Sequence, residues 1–348
     1  MIKKKAIPFF LLSLIIFLSG CTELGRRGGD EPDTKTEFVL GTVVTVQIYD
    51  HASEALFDKI FDRLREIEEK MTINQENSEV LEVNKNAGID FVHVSEDTFH
   101  VIQRGKIFSE LSRGRFDISI GPLVKLWNIG TEEARVPSRE EIDQKKQLVD
   151  YRDVLLNESE KSVMLKKEGM FLDLGGIAKG FAADEIVKIF EENHVESGLI
   201  NVGGNVFAHG NRLDGADWRI GIRNPSSSSS AGDYIGIISV SDKTVVTSGI
   251  YERYFEEDGK RYHHILDPET GYPVENNLVS VTVIGEHSVD ADALSTAVFS
   301  LGLEEGMKLI QELEDTEAIW ITKENQVYVT PGLLDHFELT HPQFTLVK

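Results

Sequence analysis

The chain has 348 residues, of which 41% are hydrophobic and 27% charged. That balance belongs to a folded globular protein and excludes a disordered or collagen-like chain. A formal net charge of −23 repels nucleic-acid phosphates and argues against nucleic-acid binding, and an anionic nucleotide substrate would need a local cation from a metal or a few basic side chains.

Taken in chain order, Lys3, Lys4 and Lys5 precede an apolar run from Ala6 to Leu18, broken by Pro8 and Ser13. This has the form of a signal peptide and is short for a spanning helix. It ends in Leu18-Ser19-Gly20-Cys21, which resembles the lipobox of bacterial lipoproteins. The other reading is an uncleaved anchor with a chance cysteine. The expected organisation is a lipoprotein signal peptide over 1–20, a flexible tether over 21–36 containing Gly28-Gly29 and Pro32, and one domain over 37–348. Cys21 is the expected lipidation site, holding the domain to the extracytoplasmic face of the cell membrane. Each buried CH₂ of an acyl chain contributes roughly 0.8 kcal/mol to such anchoring. Cys21 is the single cysteine of the chain, so the domain can form no internal disulfide.

Val44, Val46 and Ile48 alternate with polar residues and predict a strand over Phe38 to Ile48. Leu56, Ile60, Leu64, Ile67 and Met71 recur at three- and four-residue steps and predict a helix over Ser53 to Met71. A second helix is expected from Asp97 to Leu111, stopped by Ser112-Arg113-Gly114, and Ser138 with Glu141 makes a capping box after Pro137. A buried turn leads into a helix from Ile177 to Asn193. Strands are expected around Leu199–Val206, Trp218–Ile222, Tyr234–Val240 and Tyr262–Leu266, with the serine run Ser226–Ser230 as a solvated loop. Val279, Val281 and Val283 alternate along a further strand. Helices over Ser288–Leu301 and Leu303–Leu313 and a hairpin around Ile319–Val329 complete the chain. Strands and helices mix without a βαβ rhythm, so the expected class is α+β, mixed sheets with packed helices.

Four constellations bear on chemistry. In Asp173-Leu174-Gly175-Gly176-Ile177-Ala178-Lys179-Gly180 a glycine pair opens directly into a helix, as either a tight strand–helix turn or a phosphate site at a helix N-terminus, with Lys179 as a point charge. It has neither Walker A nor GxGxxG spacing. The glycines of Asn201-Val202-Gly203-Gly204-Asn205 mark a bulge or a ligand wall. Asp292 and Thr296, four apart, share one helix face and offer oxygen ligands suited to Mg²⁺; the alternative is a helix-start carboxylate with a back-bonded threonine. His263 and His264 on a strand point to opposite faces, so only one can face a pocket and act near neutral pH. The sequence holds no HExxH, paired CxxC or GxSxG motif.

The order of these pieces carries more than any one of them. Leu40-Gly41-Thr42, the run Gly114-Arg115-Phe116-Asp117-Ile118-Ser119-Ile120-Gly121-Pro122-Leu123-Val124 with Leu126-Trp127 after it, the Asp173–Asp184 block, Asn201–Asn205, Thr247-Ser248-Gly249 with Tyr251-Glu252-Arg253-Tyr254, the His264–Pro273 block, and Ala291-Asp292-Ala293-Leu294-Ser295-Thr296-Ala297 together resemble the ApbE family of FAD:protein FMN transferases. The resemblance spans about residues 37 to 340 and implies an ApbE-like fold. It implies Mg²⁺ held by Asp292, Thr296 and a backbone carbonyl aligned to Gly176. It further implies FAD, as substrate, bound by Leu40, Asn74, Arg115, Phe116, Asp117, Asp173, Lys179, Ser248 and Gly249, with His264 as the catalytic residue. Where the family often has an aromatic residue, this chain has Asn74, which has no ring to stack on FAD.

The implied reaction attaches FMN through a phosphoester to a Thr or Ser of an acceptor flavoprotein and releases AMP. The implied partners are FAD, that acceptor subunit and the membrane, and not nucleic acid. A Mg²⁺-dependent FAD pyrophosphatase would use the same residues. A non-catalytic FAD-binding lipoprotein would need neither the Asp/Thr pair nor His264.

Overall fold

A computed structural model describes residues 31–226 and 232–347. The expected signal peptide, Cys21 and most of the serine run lie outside the described residues. Within Pro32–Lys348, which is one unit, nine strands form the main sheet: β1 (Asp33–Val39), β2 (Thr42–Ile48), β3 (Ser197–Val202), β4 (Asn205–Gly210), β5 (Lys243–Gly249), β6 (Leu278–Gly285), β7 (Glu317–Thr322), β8 (Gln326–Val329) and β9 (Thr345–Val347). They lie side by side in chain order. Every pairing is antiparallel except the last, β8 with β9. The helices are inserted between these strands: α1 (Glu54–Met71), α2 (Glu79–Lys85), α3 (Glu96–Leu111), α4 (Gly121–Trp127), α5 (Arg139–Lys146) and α6 (Ala178–Glu192) between β2 and β3, then α7 (Ser288–Leu301) and α8 (Leu303–Gln311) between β6 and β7. The class is α+β, as the sequence implies.

Two expected single strands are hairpins. Phe38 to Ile48 folds back at Leu40-Gly41, where both residues take positive φ (57° and 65°), so that Phe38 pairs with Val43. Leu199 to Val206 folds back at Gly203-Gly204, at φ 58° and 99°. A two-residue hairpin with φ > 0 at both central positions matches the twist of its strands. The second announces itself by its glycines, whereas the first places a leucine in the left-handed region, which sequence rules give little reason to expect. β1 also begins at Asp33, inside the stretch expected as tether, because its whole length has β2 to pair with.

The helices follow their caps. Ser53 accepts from the Leu56 N–H and starts α1, which buries Leu56, Ile60, Leu64, Ile67 and Met71. Ser138 and Glu141 form the expected reciprocal box ahead of α5. The strand expected over Tyr262–Leu266 runs instead over Lys260–His263, paired with Tyr254–Glu257, and His264 leaves the ladder. One large core joins the inner face of the sheet to α1, α3, α6 and α7 through residues such as Phe61, Phe190, Phe299 and Trp320, all fully buried. Each such side chain contributes on the order of 1.5–3 kcal/mol by leaving water, and that core fixes the geometry around α6 and α7.

Candidate functional site

The site is built where α6 and α7 touch. A Cβ at Gly180 would stand 2.1 Å from the Ser288 carbonyl oxygen and 2.8 Å from Asp292 Cβ, so only glycine lets the helices approach this closely. α6 begins at Ile177 without a side-chain cap of its own. Asp292, 4% exposed, supplies one from α7: its Oδ2 accepts from the Gly180 N–H at 3.0 Å, while Oδ1 lies 3.1 Å from Lys179 Nζ. The buried carboxylate is thus satisfied by an amide and an ammonium, the condition for keeping such a charge in the interior.

One helical turn beyond Asp292, Thr296 Oγ1 lies 3.2 Å from Ser248 Oγ of β5, which also meets Ser295 Oγ at 2.8 Å. Gly176 comes alongside. A Cβ there would stand 3.8 Å from Thr296 Oγ1 and 3.2 Å from the Phe116 ring. Gly176, Lys179, Ser248, Asp292 and Thr296 are therefore brought together with Phe116, from four separate stretches of sequence. Gly249 closes β5, and a side chain there would strike the Tyr251 ring at 2.6 Å. Among the described residues no cluster of three or more His, Cys, Asp or Glu could hold a metal. The expected Mg²⁺ set needs only one carboxylate, and a carboxylate, a hydroxyl and a glycine carbonyl are the hard oxygen donors that Mg²⁺ takes. The residues fit the ion in chemistry.

The two adjacent histidines part as a strand end requires. His263 is buried; its Nε2–H donates to the Val274 carbonyl at 3.0 Å and its ring meets Phe299 edge-on. His264 turns the other way, and its Nδ1–H donates to the Arg253 carbonyl at 3.2 Å. A carbonyl only accepts, so Nδ1 carries the proton and Nε2 keeps a free lone pair. Burial, reinforced by the Arg253 guanidinium, pushes the His264 imidazole down to about 3, and Lys179 lies near enough to act in the same sense. Asp173 accepts from the Gly175 N–H at 2.8 Å. Burial raises its carboxyl, while Arg253 and Lys125 oppose the shift.

Other expected residues have polar groups already engaged within the protein. Arg115 reaches Asp267 at 3.1 Å and Glu269 at 2.9 Å, tying its loop to the turn after His264. Asp117 is buried and accepts from Ser119 N, Ser119 Oγ and Tyr151 N at 2.7–2.9 Å. Leu40 forms the first hairpin turn, beside the second: a Cβ at Gly203 would stand 2.3 Å from Thr42 Oγ1. Asn74 is exposed, its amide N–H on Thr72 Oγ1. Asn205 begins β4 directly after the second hairpin turn. Its Oδ1 lies 3.5 Å from Lys179 Nζ, and its buried Nδ2 has no partner among the described residues. The glycine pair before it is the signal that marks it. Glu252 also lies within electrostatic reach of Lys179, Arg253 and Asp292.

The ApbE family model matches residues 40–320. An FAD:protein FMN transferase of Klebsiella pneumoniae is 41% identical over 292 residues, covering 84% of this chain and 90% of that protein. One from Treponema pallidum is 35% identical, covering 96% of this chain and 97% of that protein. Among solved structures, the ApbE protein of Thermotoga maritima superposes with a TM-score of 0.79 at 34% identity, covering 87% of this chain and 98% of its own. The flavin transferase ApbE from Vibrio cholerae gives 0.78 at 27% identity, covering 88% and 99%.

Proposed function

Because the chain belongs to the ApbE family, we propose that it is an FAD:protein FMN transferase that uses Mg²⁺, joins FMN to a Thr or Ser hydroxyl of an acceptor flavoprotein and releases AMP. The observation that carries this reading is the convergence of Gly176, Lys179, Ser248, Asp292 and Thr296 at the start of α6. A helix N-terminus and an ammonium supply the positive end that a diphosphate needs in a chain of net charge −23. Asp292, Thr296 and the Gly176 carbonyl would hold Mg²⁺, which supplies Lewis-acid polarisation of phosphoryl oxygens and neutralises charge on the leaving group.

His264 is the base in this reading. Its Nε2 takes the proton of the acceptor hydroxyl as that oxygen forms a bond to the FMN-side phosphorus. The bond from that phosphorus to the bridging oxygen breaks, and AMP leaves with the bridging oxygen. Arg253 sets the tautomer through its carbonyl, and Arg115 braces the turn that carries His264 through Asp267. Lys179, whose Nζ lies 3.5 Å from Asn205 Oδ1, would orient anionic oxygens beside it. The lipobox-like segment ending in Cys21 supports attachment of the domain to the extracytoplasmic face of the membrane.

The test is to incubate the full-length protein with FAD and Mg²⁺, with and without a peptide bearing a candidate acceptor threonine, and to follow products by mass spectrometry. Transfer predicts a peptide heavier by FMN less water, AMP in equal amount, and loss of both with EDTA. FMN and AMP with every acceptor left unmodified would instead assign a pyrophosphatase, and FAD bound but intact a carrier.

A further inference from the structure

An open cleft of about 460 Å³ lies between α4, α5 and the segment that runs into Asp173. Its charged lining is Lys125, Arg135, Lys145 and Glu133, over an apolar floor that includes Pro122 and Phe171. In a chain of net charge −23 this wall is a local reversal of sign. Arg135 is held by both oxygens of Glu141, at 2.6 and 3.0 Å, and projects little field. Lys125 and Lys145 are exposed and have no ion-pair partner among the described residues; Lys125 Nζ stands 3.3 Å from the Phe171 ring centre.

The cleft adjoins the candidate site at two points. Lys125 is close enough to Asp173 for its charge to be felt there. Gly130, between α4 and Arg135, packs against Arg253: a Cβ on it would stand 3.4 Å from Arg253 Cδ, and the Arg253 carbonyl is the one that holds His264.

We infer that this cleft docks an acidic segment of the acceptor polypeptide, beside the hydroxyl that receives FMN. The inference rests on the transferase reading, because that reaction requires a polypeptide to reach the neighbourhood of His264. The diphosphate of FAD has its own cation in Lys179 at the start of α6, so Lys125 and Lys145 are left for another anion. Elsewhere the acidic surface repels a carboxylate-bearing chain; here two unpaired ammonium groups attract it and favour productive encounter.

The experiment offers the full-length protein, with FAD and Mg²⁺, two peptides of equal length around the same threonine, one flanked by Asp and Glu and the other by Lys. The acidic peptide should show a KM lower by about five- to tenfold, the size expected of two exposed charge contacts acting together. The Lys125→Glu/Lys145→Glu variant should reverse that preference, and Lys145→Glu by itself should change KM for FAD less than twofold. Lys145→Glu alone, on the exposed face of α5, should move the preference part of the way, which keeps the test sharp if the double variant folds poorly. Equal use of both peptides by the wild type would overturn the inference. So would a variant that weakens FAD and leaves the peptide preference intact, since the cleft would then belong to FAD. Turnover of FAD with neither peptide modified would overturn the transferase reading itself, and the docking role with it.

Discussion

Asp184 and Asp292 each sit on one helix and cap the other. Asp292, on α7, accepts from the Gly180 N–H at the start of α6, and Asp184, on α6, accepts from Ser288 N at 2.7 Å and Val289 N at 2.9 Å at the start of α7. Neither helix has a side-chain cap from its own N-cap residue, Ile177 or His287. The helix pair is therefore stable as a pair, and the groups expected to bind Mg²⁺ are part of what holds it together.

Asp184→Ala removes the cap of α7 without touching the site. Urea unfolding should show a loss of about 1–2 kcal/mol. Because α7 carries Asp292 and Thr296, Mg²⁺ titration of transfer should also shift to higher concentration, and an unchanged Mg²⁺ dependence would separate the two helix ends.

Gly180→Ala places a methyl group against the Ser288 carbonyl. A clash with backbone cannot be relieved by a rotamer change, so the helices must separate, at a cost of about 1–3 kcal/mol. Thermal melting should show it, and activity should fall further than stability because Asp292 shifts with α7. Wild-type activity in a stable Gly180→Ala protein would contradict the tight crossing.

Asp292→Asn keeps the shape and removes the charge. Lys179 then lies beside a neutral amide, and stability should fall by about 1–3 kcal/mol. Transfer at a fixed Mg²⁺ concentration should drop by about 100-fold, in keeping with the loss of a charged metal ligand. Mg²⁺ titration of the purified variant measures the second effect and urea unfolding the first.

The histidines give a pH signature. Burial holds His264 at about 3 and His263 at about 4, both below the ordinary 6.5. In each case the unfolded chain binds a proton that the folded one refuses. Their contribution to stability is full above pH 6.5 and is lost as pH falls from there toward pH 4 and pH 3. His263→Gln should flatten the acid side of the stability curve in that window. For activity, His264 stays neutral across pH 5–8, so kcat/KM should show no acid limb near 6.5. A limb there that disappears in His264→Gln would place the imidazole in a far wetter setting than the one described.

The Ser138–Glu141 box and the periodic apolar face of α1 were readable because each is a local pattern that the backbone obeys directly. The gathering of Asp292, Thr296, Gly176 and Lys179 was foreshadowed by spacing and by family resemblance together, since neither the helix face nor the glycine pair says alone what stands opposite. Sequence could not show that Arg115 and Asp117 have their polar groups committed within the protein. An arginine's partners, here Asp267 and Glu269, lie some 150 positions away, and proximity across such a gap is decided by the whole fold. The left-handed Leu40 and the short α2 and α4 were hidden for the opposite reason: tertiary packing overrode weak local preference.

The order of the main sheet sets a sequence of events in time. β2 finds its second neighbour only in β3, Val44 against Val202, so most of the helices must be synthesised before the hairpin β1–β2 has anything to join. Until then a ribbon with Phe38 and Val43 exposed, at 75% and 55% even in the finished fold, carries an open edge that another copy can pair with. Contacts so distant in sequence slow folding, and an unpaired edge during that wait invites aggregation. The first strands of the chain thus wait until β3 has been made, and a preparation shortened past Val39 would leave β2 as a raw edge in the completed molecule as well.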